Sequence, residues 1–190
     1  SKRFENPIEV TVQATTSELR QTFLNADSAR NTGFELEFRR RLGSLSRYLA
    51  PFAVNTNFTF VDSQVRIPES QRLLLTSLTR PLMGQSRYVA NVITEWTKPK
   101  WRSSARFYVN YTSRRLSDVG SVGLPDIYQE ANTFLDFVYR FDIKEGGRWS
   151  MRFSAENLGD NHYHWTQGGI LQRSYRLGRT FTLGTTYTIF

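Results

Sequence analysis

The chain has 190 residues, no cysteine and a formal net charge of +8, and 39% of its residues are hydrophobic. The lack of cysteine excludes disulfides and thiolate chemistry. The mean hydropathy is −0.48, and no apolar run approaches the roughly 18 residues of a membrane-spanning helix. A basic charge is typical of nucleic-acid binding, but the arginines form no single stripe and no binding motif is present, so no nucleic-acid partner is predicted.

Seven stretches of the chain alternate apolar and polar residues, which places one set of side chains on each face of a strand. A weaker stretch, Ile8–Ala14, precedes them, and Leu19–Asn25 is expected to extend the first strand outward as a ribbon. Each of the seven is close to the ten residues that a tilted membrane strand needs. In chain order they are Phe34–Leu42, Phe52–Phe60, Ser86–Trp96, Trp101–Tyr111, Thr133–Ile143, Trp149–Asn157 and Phe181–Ile189.

The connections between these strands alternate in length. The short ones are Gly43–Arg47, Thr97–Lys100 and Lys144–Gly147, and the long ones are Val61–Gly84, Ser113–Glu130 and Gly159–Gly178. All short turns therefore lie at one end of the wall, as in outer-membrane barrels with short periplasmic turns. The pattern predicts an all-β fold, an antiparallel transmembrane β-barrel wall.

Two sets of residues follow from this register. Aromatic residues at the short-turn end predict an interfacial girdle, formed by Tyr48, Trp96, Trp101 and Trp149. Charged residues on the polar face are expected to line the lumen. They are Glu35, Glu37, Arg39, Arg102, Arg106, Asp136, Arg140, Asp142, Arg152 and Glu156.

Periodicity leaves three architectures open. A soluble basic β-domain also alternates, although its strands are usually shorter. A complete eight-stranded barrel, with a structural or adhesion role, requires Ile8–Thr15 as the eighth strand. The third is part of a larger wall, because an isolated open wall leaves unpaired strand edges in lipid.

Four motifs favour the third architecture. The segment 23–37 ends in Gly33-Phe34-Glu35-Leu36-Glu37, and Pro81-Leu82-Met83-Gly84 precedes the third strand. Two further motifs follow later in the chain, Glu156-Asn157-Leu158-Gly159-Asp160 and Gly178-Arg179. The order and spacing of the four motifs over residues 20–190 resemble those in the last third of TonB-dependent receptor barrels, with Gly159 where phenylalanine is usual.

The resemblance implies a barrel of about 22 strands with a plugged lumen, of which residues 1–190 form the C-terminal segment. This family takes up scarce ligands such as iron chelates, vitamin B12 or glycans, and TonB supplies the energy by pulling on an N-terminal box. The plug domain and the TonB box are expected to lie outside this chain. The implied location is the outer membrane of a Gram-negative bacterium, and the implied partners are the bilayer, lipopolysaccharide, the plug, the other strands, the TonB complex and the barrel assembly machinery.

The two ends of the chain carry further expectations. Ser1–Phe4 is polar and charged, so the start is not a signal peptide and a leader is expected to have been removed or to lie upstream. Tyr187 and Ile189 point outward, which leaves Phe190 one step out of phase with the C-terminal assembly signal. A bulge or a continuing chain accounts for this difference.

The residue types predict no enzyme and no cofactor. His162 and His164 are the metal candidates, but two histidines fall short of the usual four ligands, so no metal site is predicted. No serine stands at a fixed offset from a histidine on a lipid-facing row, so no catalytic residue is assigned. The outer loops Gln71–Arg80, Ser113–Tyr128 and Asn161–Gln172 are expected to carry ligand specificity, with Arg66, Arg72, Arg80, Tyr163 and Trp165 as candidate contacts.

Overall fold

The computed structural model describes residues 1–14, 18–143 and 148–189. The first strands are β1 (Lys2–Glu5), β2 (Ile8–Ala14), β3 (Leu19–Asn25), β4 (Ser28–Arg41), β5 (Phe52–Arg66), β6 (Thr79–Arg80), β7 (Tyr88–Lys98) and β8 (Ser103–Thr112). They are followed by β9 (Arg115–Asp118), β10 (Ile127–Gln129), β11 (Asn132–Asp142), β12 (Trp149–Glu156), β13 (His162–Gln167), β14 (Ile170–Arg176) and β15 (Thr180–Tyr187). Short 3₁₀ helices cover Leu42–Ser44, Arg47–Leu49, Glu69–Gln71 and Pro99–Trp101. No helix in these ranges is long and apolar enough to cross a membrane.

The main sheet is antiparallel and has the order β1-β4-β5-β7-β8-β11-β12-β15, with β6 paired to the end of β5. The seven strands from β4 to β15 on this path correspond to the seven predicted stretches, which confirms the predicted wall. Two of them are longer than predicted. β4 begins at Ser28 and β5 runs to Arg66, so their pairing continues for six residue pairs beyond Phe34 and Phe60, where the apolar band ends.

The register keeps one face apolar across the whole wall. Phe34 lies opposite Phe60, Val92 opposite Val109, and Phe107 opposite Phe137. Many of these side chains are exposed, for example Leu36 at 61% and Leu183 at 68%. A soluble sandwich buries such a face against a second sheet, so the soluble β-domain interpretation is wrong. An exposed apolar face of this extent fits lipid as its solvent.

The interpretation as a closed eight-stranded barrel is also wrong. Within the described residues β1 and β15 are the two edges of the main sheet, and no pairing joins them. Ile8–Ala14 does form a strand, but β2 pairs only with β3. As predicted, β3 continues the line of β4 outward, so β2 and β3 form a ribbon beyond the wall, while Thr15 lies outside the described residues.

The ribbon packs on the connection that follows β5 and forms the main hydrophobic core. This core lies at the long-loop end of the wall, not between two sheets. Its buried residues are Val12, Ala26, Ala29, Val65, Ile67, Leu75 and Val119. The wall itself needs no such core, since lipid covers its apolar face.

Two of the predicted long loops contain a second sheet. β9 and β10 lie in the Ser113–Glu130 connection, β13 and β14 lie in the Gly159–Gly178 connection, and the four pair in the order β14-β13-β10-β9. We call this the outer sheet. The sequence predicts only long connections here and none of these strands, because the pairing joins two segments that are distant in sequence, as where Gln129 lies opposite Trp165.

The short turns agree with the prediction in position but not always in length. Ten residues, with two 3₁₀ helices, separate β4 from β5, where a turn over Gly43–Arg47 was expected. The strands themselves agree with the prediction at this end, since β4 ends at Arg41 and β5 starts at Phe52, directly after Pro51, so the added residues lie in the two 3₁₀ helices. The expected Lys144–Gly147 turn lies outside the described residues, as does Phe190.

Candidate functional site: the inner face and the outer cleft

The polar face of the wall, called here the inner face, carries most of the charged residues that were predicted to line the lumen. Several of them are hydrogen-bonded across strands. Asn57 donates to Glu35 over 2.9 Å, and Arg106 lies 3.2 Å from Glu95. Such cross-strand pairs stabilise the sheet modestly at exposed positions. Placed on this face by the register are Glu35, Glu37, Arg39, Arg106, Asp136, Arg140, Asp142, Arg152 and Glu156.

Arg102 does not join this face. It caps the Pro99–Trp101 helix in the left-handed region, with a φ of 50°. Its guanidinium lies 5.8 Å from the ring centroid of Phe141, a residue of the apolar face. The prediction of a lumen-facing Arg102 assumed a strand that starts at Trp101, whereas β8 starts at Ser103.

Three arginines converge on the inner face in the middle of the wall. Arg140 lies directly opposite Arg152, and Arg106 lines the same cleft of about 280 Å³. Arg140 is paired with Asp142 at 3.0 Å and Arg106 with Glu95. Among the described residues Arg152 has no carboxylate partner. This cluster therefore has the charge to hold an acidic group that approaches the inner face.

Aromatic residues cluster at the short-turn end, where a girdle was predicted. Trp96 and Trp101 contact edge to face with 6.0 Å between ring centroids, and the Lys98 Nζ lies 3.7 Å from the Trp101 centroid. Arg47 stacks on Tyr48 with 5.1 Å to its ring centroid. Trp149 donates its indole N–H to Thr185 over 2.9 Å. Tyr48, Trp101 and Trp149 each have a polar or cationic partner, as interfacial aromatics do, and Trp96 packs on Trp101.

Of the arginines proposed to contact a ligand, Arg80 is not available to one. Its side chain is 1% exposed, pairs with Glu9 at 3.3 Å and donates to the Val10 carbonyl over 2.8 Å. Burial lowers the pKa of Arg80 and raises the pKa of Glu9, and the attraction between them offsets only part of each shift. Arg80 therefore holds the β2–β3 ribbon against the loop after β5.

The other two arginines are exposed. Arg72 forms two hydrogen bonds to Glu69, of 2.6 and 2.8 Å, on the loop after β5. This pairing raises the pKa of Arg72 and lowers that of Glu69. Arg66 lies at the end of β5 and has no ion pair within the described ranges.

The two aromatic candidates are packed within the outer sheet. Trp165 is only 9% exposed and donates its indole N–H to Ser117. Tyr163 contacts Trp165, Tyr175 and Phe134 with centroid distances of 5.9, 5.0 and 5.6 Å. Phe134 belongs to the inner register of β11, so Tyr163 links the outer sheet to the inner face.

A cleft of about 210 Å³ opens at this junction, between the outer ends of β8 and β11 and the outer sheet. Asn132 lines it and is 6% exposed, and neither atom of its side-chain amide has a hydrogen-bond partner in the structure. Buried amides are nearly always satisfied, so Asn132 points to a bound polar group. Arg115, Phe134 and Tyr163 also line this outer cleft.

The histidines lie on β13, on one face, with 5.8 Å between ring centroids. They were expected in a loop, but the strand places them side by side. In the part of the chain that the structure describes, no group of three or more His, Cys, Asp or Glu residues is arranged to hold a metal ion.

A family model described as "TonB dependent receptor-like, beta-barrel" matches residues 1–158. The chain belongs to this family. Its members are receptors and transporters, and the match agrees with the resemblance noted from the motifs. No curated protein matches the sequence significantly.

Two solved structures share the fold of this TonB-dependent receptor chain. The siderophore receptor PiuA from Acinetobacter baumannii has a TM-score of 0.62 and 13% identity, over 87% of this chain and 23% of its own. The FrpB iron transporter from Neisseria meningitidis (F3-3 variant) has a TM-score of 0.60 and 11% identity, over 97% of this chain and 26% of its own. The chain thus spans about a quarter of each receptor.

The sequence did not single out Asn132 or Arg115, which line the outer cleft, and it did not indicate that Arg80 pairs with Glu9. The sequence does contain a signal for Asn132. It lies two residues before Phe134 on the same strand and therefore points to the inner face, at the outer end of that strand. The other residues carry no such signal, since their roles depend on contacts between separate loops.

Proposed function

We propose that this chain is part of an outer-membrane active transporter that takes up a scarce ligand and is powered by TonB. One observation carries the proposal: a single-layer wall has an apolar face on one side and a charged face on the other, with an outer sheet above it. This arrangement fits a barrel wall between lipid and an aqueous or plugged lumen. The location that follows is the outer membrane of a Gram-negative bacterium.

The open edges at β1 and β15 support the role of a segment in a larger barrel of about 22 strands. Each unpaired backbone group in lipid costs several kcal/mol, so both edges need partner strands. In this proposal residues 1–190 are the C-terminal segment, and the remaining strands, the plug and the TonB box belong to the rest of the protein. The barrel assembly machinery inserts the whole, and lipid and lipopolysaccharide surround it.

The inner face is proposed to contact the plug. The face has several exposed charges, and the Arg106, Arg140 and Arg152 cluster has one arginine without a carboxylate partner among the described residues. A carboxylate on the plug would complete it with a bidentate hydrogen bond, which arginine favours. Movement of the plug under TonB tension then breaks this contact.

The outer cleft is proposed to contact the ligand on its way to the plug. Asn132 supplies unused amide hydrogen-bonding groups, Arg115 a cation, and Phe134 and Tyr163 apolar rings. Iron chelates are the ligand class that we favour, because the two solved receptors with this fold are a siderophore receptor and an iron transporter. Chelates commonly combine anionic oxygens with planar or apolar groups, which this lining complements.

Uptake of a labelled ferric chelate by cells tests the proposal. We expect cells with the full-length receptor to accumulate the label under iron limitation, and cells without it, or treated with a protonophore, to lose this uptake. The variant Asn132→Leu, which keeps the side-chain size, should lower apparent affinity about tenfold, since one lost hydrogen-bonding group at a buried site costs roughly 1–3 kcal/mol. Lys100→Gln, at the short-turn end of the wall and away from the outer cleft, is the control.

Uptake that is unchanged by deletion of the receptor, across a panel of ferric chelates, cobalamin and oligosaccharides, would contradict the transporter proposal. Uptake that depends on the receptor but is insensitive to Asn132→Leu would contradict only the role of the outer cleft.

A further inference from the structure

Two arginines lie directly opposite each other on the outward face of the wall, above its apolar band. Arg3 on β1 pairs in register with Arg30 on β4, and Arg30 pairs with Gln64 on β5. The register is unbroken from Ser28 to Arg41, so Arg30 shares its face with Phe34, Leu36 and Phe38. The two guanidinium groups therefore belong to the lipid-facing side, not to the inner face.

Their height on the wall matches the headgroup region. The apolar band ends in a cluster of Phe34, Phe60 and Tyr88, whose neighbouring rings lie 5.4 to 5.5 Å apart. Arg30 is four residues beyond Phe34. At about 3.4 Å per residue and a strand tilt of about 40°, it lies on the order of 10 Å above this aromatic row. That is where the charged groups of the outer leaflet lie.

The two arginines also border a cleft. Its volume is about 390 Å³, and its lining includes Arg3, Arg30, Arg66, Gln64 and Glu5. Three arginines against one glutamate give the lining an excess of two positive charges. Arg30 donates its Nε to Thr32 over 3.2 Å, which fixes the side chain and leaves its terminal nitrogens free.

The charges in this cleft are not compensated within the described part of the chain. None of the three arginines has an ion pair there, and like charges directly opposite in a sheet are destabilising. Nearby on β5 the charge is compensated, because Asp62, two residues before Gln64, pairs with Arg87 at 3.0 Å. An arrangement that places Arg3 against Arg30 without a carboxylate gains stability when an anion enters between them.

We propose that this cleft binds the phosphate group of an outer-leaflet lipid. The planar guanidinium fork matches phosphate oxygens. The lipid source follows from position, since the cleft lies on the lipid-facing side at the height of the headgroups, where an acyl chain can run down over Phe34 and Phe60. The inference goes beyond transport, and it assigns this part of the wall a lipid-anchoring role.

Binding of diphosphoryl lipid A to the full-length receptor in detergent, followed by native mass spectrometry, tests the proposal. We expect Arg30→Gln to weaken binding about fivefold and Arg3→Gln with Arg30→Gln to weaken it about 25-fold, since each cation near a lipid headgroup contributes a factor of this order. Glu5→Gln should strengthen binding, because it removes the one negative charge of the lining. Arg72→Gln removes a cation from the distant loop and should leave binding unchanged.

Each variant is first shown to be folded by its heat-modifiable band. Equal binding by the double variant and the native receptor would overturn the proposal, as would weaker binding by Glu5→Gln. Equal binding of lipid A from which the phosphates have been removed would also overturn it. Competition by millimolar inorganic phosphate would assign the cleft to free phosphate and overturn the lipid source.

Discussion

The buried ion pair between Arg80 and Glu9 shows how one residue connects separate segments of the chain. Arg80 follows the loop after β5, and Glu9 lies on β2, 71 positions earlier. We expect Arg80→Met to lower the free energy of opening the β2–β3 ribbon by about 3–5 kcal/mol, because it leaves the Glu9 carboxylate buried without its partner. Hydrogen exchange of the β2–β3 amides in the full-length receptor measures the loss.

The matched control for this prediction is Arg20→Met on the same ribbon. Arg20 pairs with Glu18, but both side chains are exposed, so the change should cost at most about 1 kcal/mol. Equal effects of the two substitutions would contradict the view that Arg80 holds the ribbon in place.

The same pair predicts a dependence on pH. Burial raises the pKa of Glu9 above its usual value of 4.5, although Arg80 opposes the shift. The folded state therefore takes up the proton more readily than the unfolded state, so this contribution to stability is present below pH 4.5 and is lost as pH rises through the raised pKa. We expect the ribbon amides, after correction for intrinsic exchange, to be better protected near pH 4.5 than at pH 7.

The variant Glu9→Gln should remove this difference, since glutamine stays neutral at both pH values. Greater protection at pH 7 than at pH 4.5 in the native receptor, or the same dependence in Glu9→Gln, would show that Glu9 is not the titrating group.

At the scale of elements, the pairing of β4 with β5 depends on Gly33. A Cβ at this position would clash with the Phe60 carbonyl oxygen and lie 3.0 Å from the Val61 Cα. Because both are backbone atoms of the neighbouring strand, the strands would have to move apart. We expect Gly33→Ala to cost about 1–3 kcal/mol, as overpacking does, and to lower the temperature at which the full-length receptor loses its compact form in heat-modifiability gels.

Gly159 is the control for this prediction. It follows β12, and a Cβ there would lie 3.8 Å from Cδ1 of the Leu135 side chain, which is an ordinary contact distance. Gly159→Ala should leave the transition temperature within about 1 °C of the native value, since it introduces no clash. A fall for Gly159→Ala as large as that for Gly33→Ala would show that the close approach at Phe60 does not limit stability.

The elements also show which parts of the fold the sequence can predict. Alternation identified all seven strands of the wall, because lipid on one side and polar surroundings on the other impose it directly. Beyond Phe60 the outward side chains of β5 are polar while Val65, on the other side, packs in the buried core, so the lipid-facing alternation ends while the pairing continues to Arg66. The outer sheet was missed for a related reason, since its strands are stabilised by contacts such as Tyr163 with Tyr175 and Phe134 that no local pattern records.

The candidate site was predictable to a similar extent. The two-residue alternation of a strand was enough to assign nine of the ten charged residues to the inner face. The assignment of Arg102 was wrong because it lies in a left-handed turn, where side chains do not alternate as in a strand. Alternation does not show which arginines are buried or already paired. Arg80 therefore stood among the ligand candidates, although it lies in the protein interior.

At the scale of the whole molecule, the inner face is expected to hold the plug through Arg152. In the full-length receptor Arg152→Ala should loosen the plug, because a plug carboxylate then loses its partner at a partly desolvated interface. We expect at least a twofold increase in sensitivity to antibiotics that are too large for porins, together with lower ligand uptake. Arg106→Ala should have a smaller effect, since Arg106 already pairs with Glu95.

Arg20→Ala, which removes the same charge from the exposed β2–β3 ribbon, should leave both measurements unchanged. Unchanged antibiotic exclusion and unchanged uptake for Arg152→Ala would show that this arginine does not contact the plug.

If this wall completes a larger outer-membrane receptor, the native protein is several times heavier than residues 1–190, so its mass distinguishes a segment from a complete small barrel. Denaturing electrophoresis and peptide mapping of the outer-membrane fraction provide the mass. We predict a band several times the 22.1 kDa of this chain, with peptides that map upstream of Ser1. A heat-modifiable band near 22 kDa, without upstream peptides, would identify a small closed barrel and contradict the account.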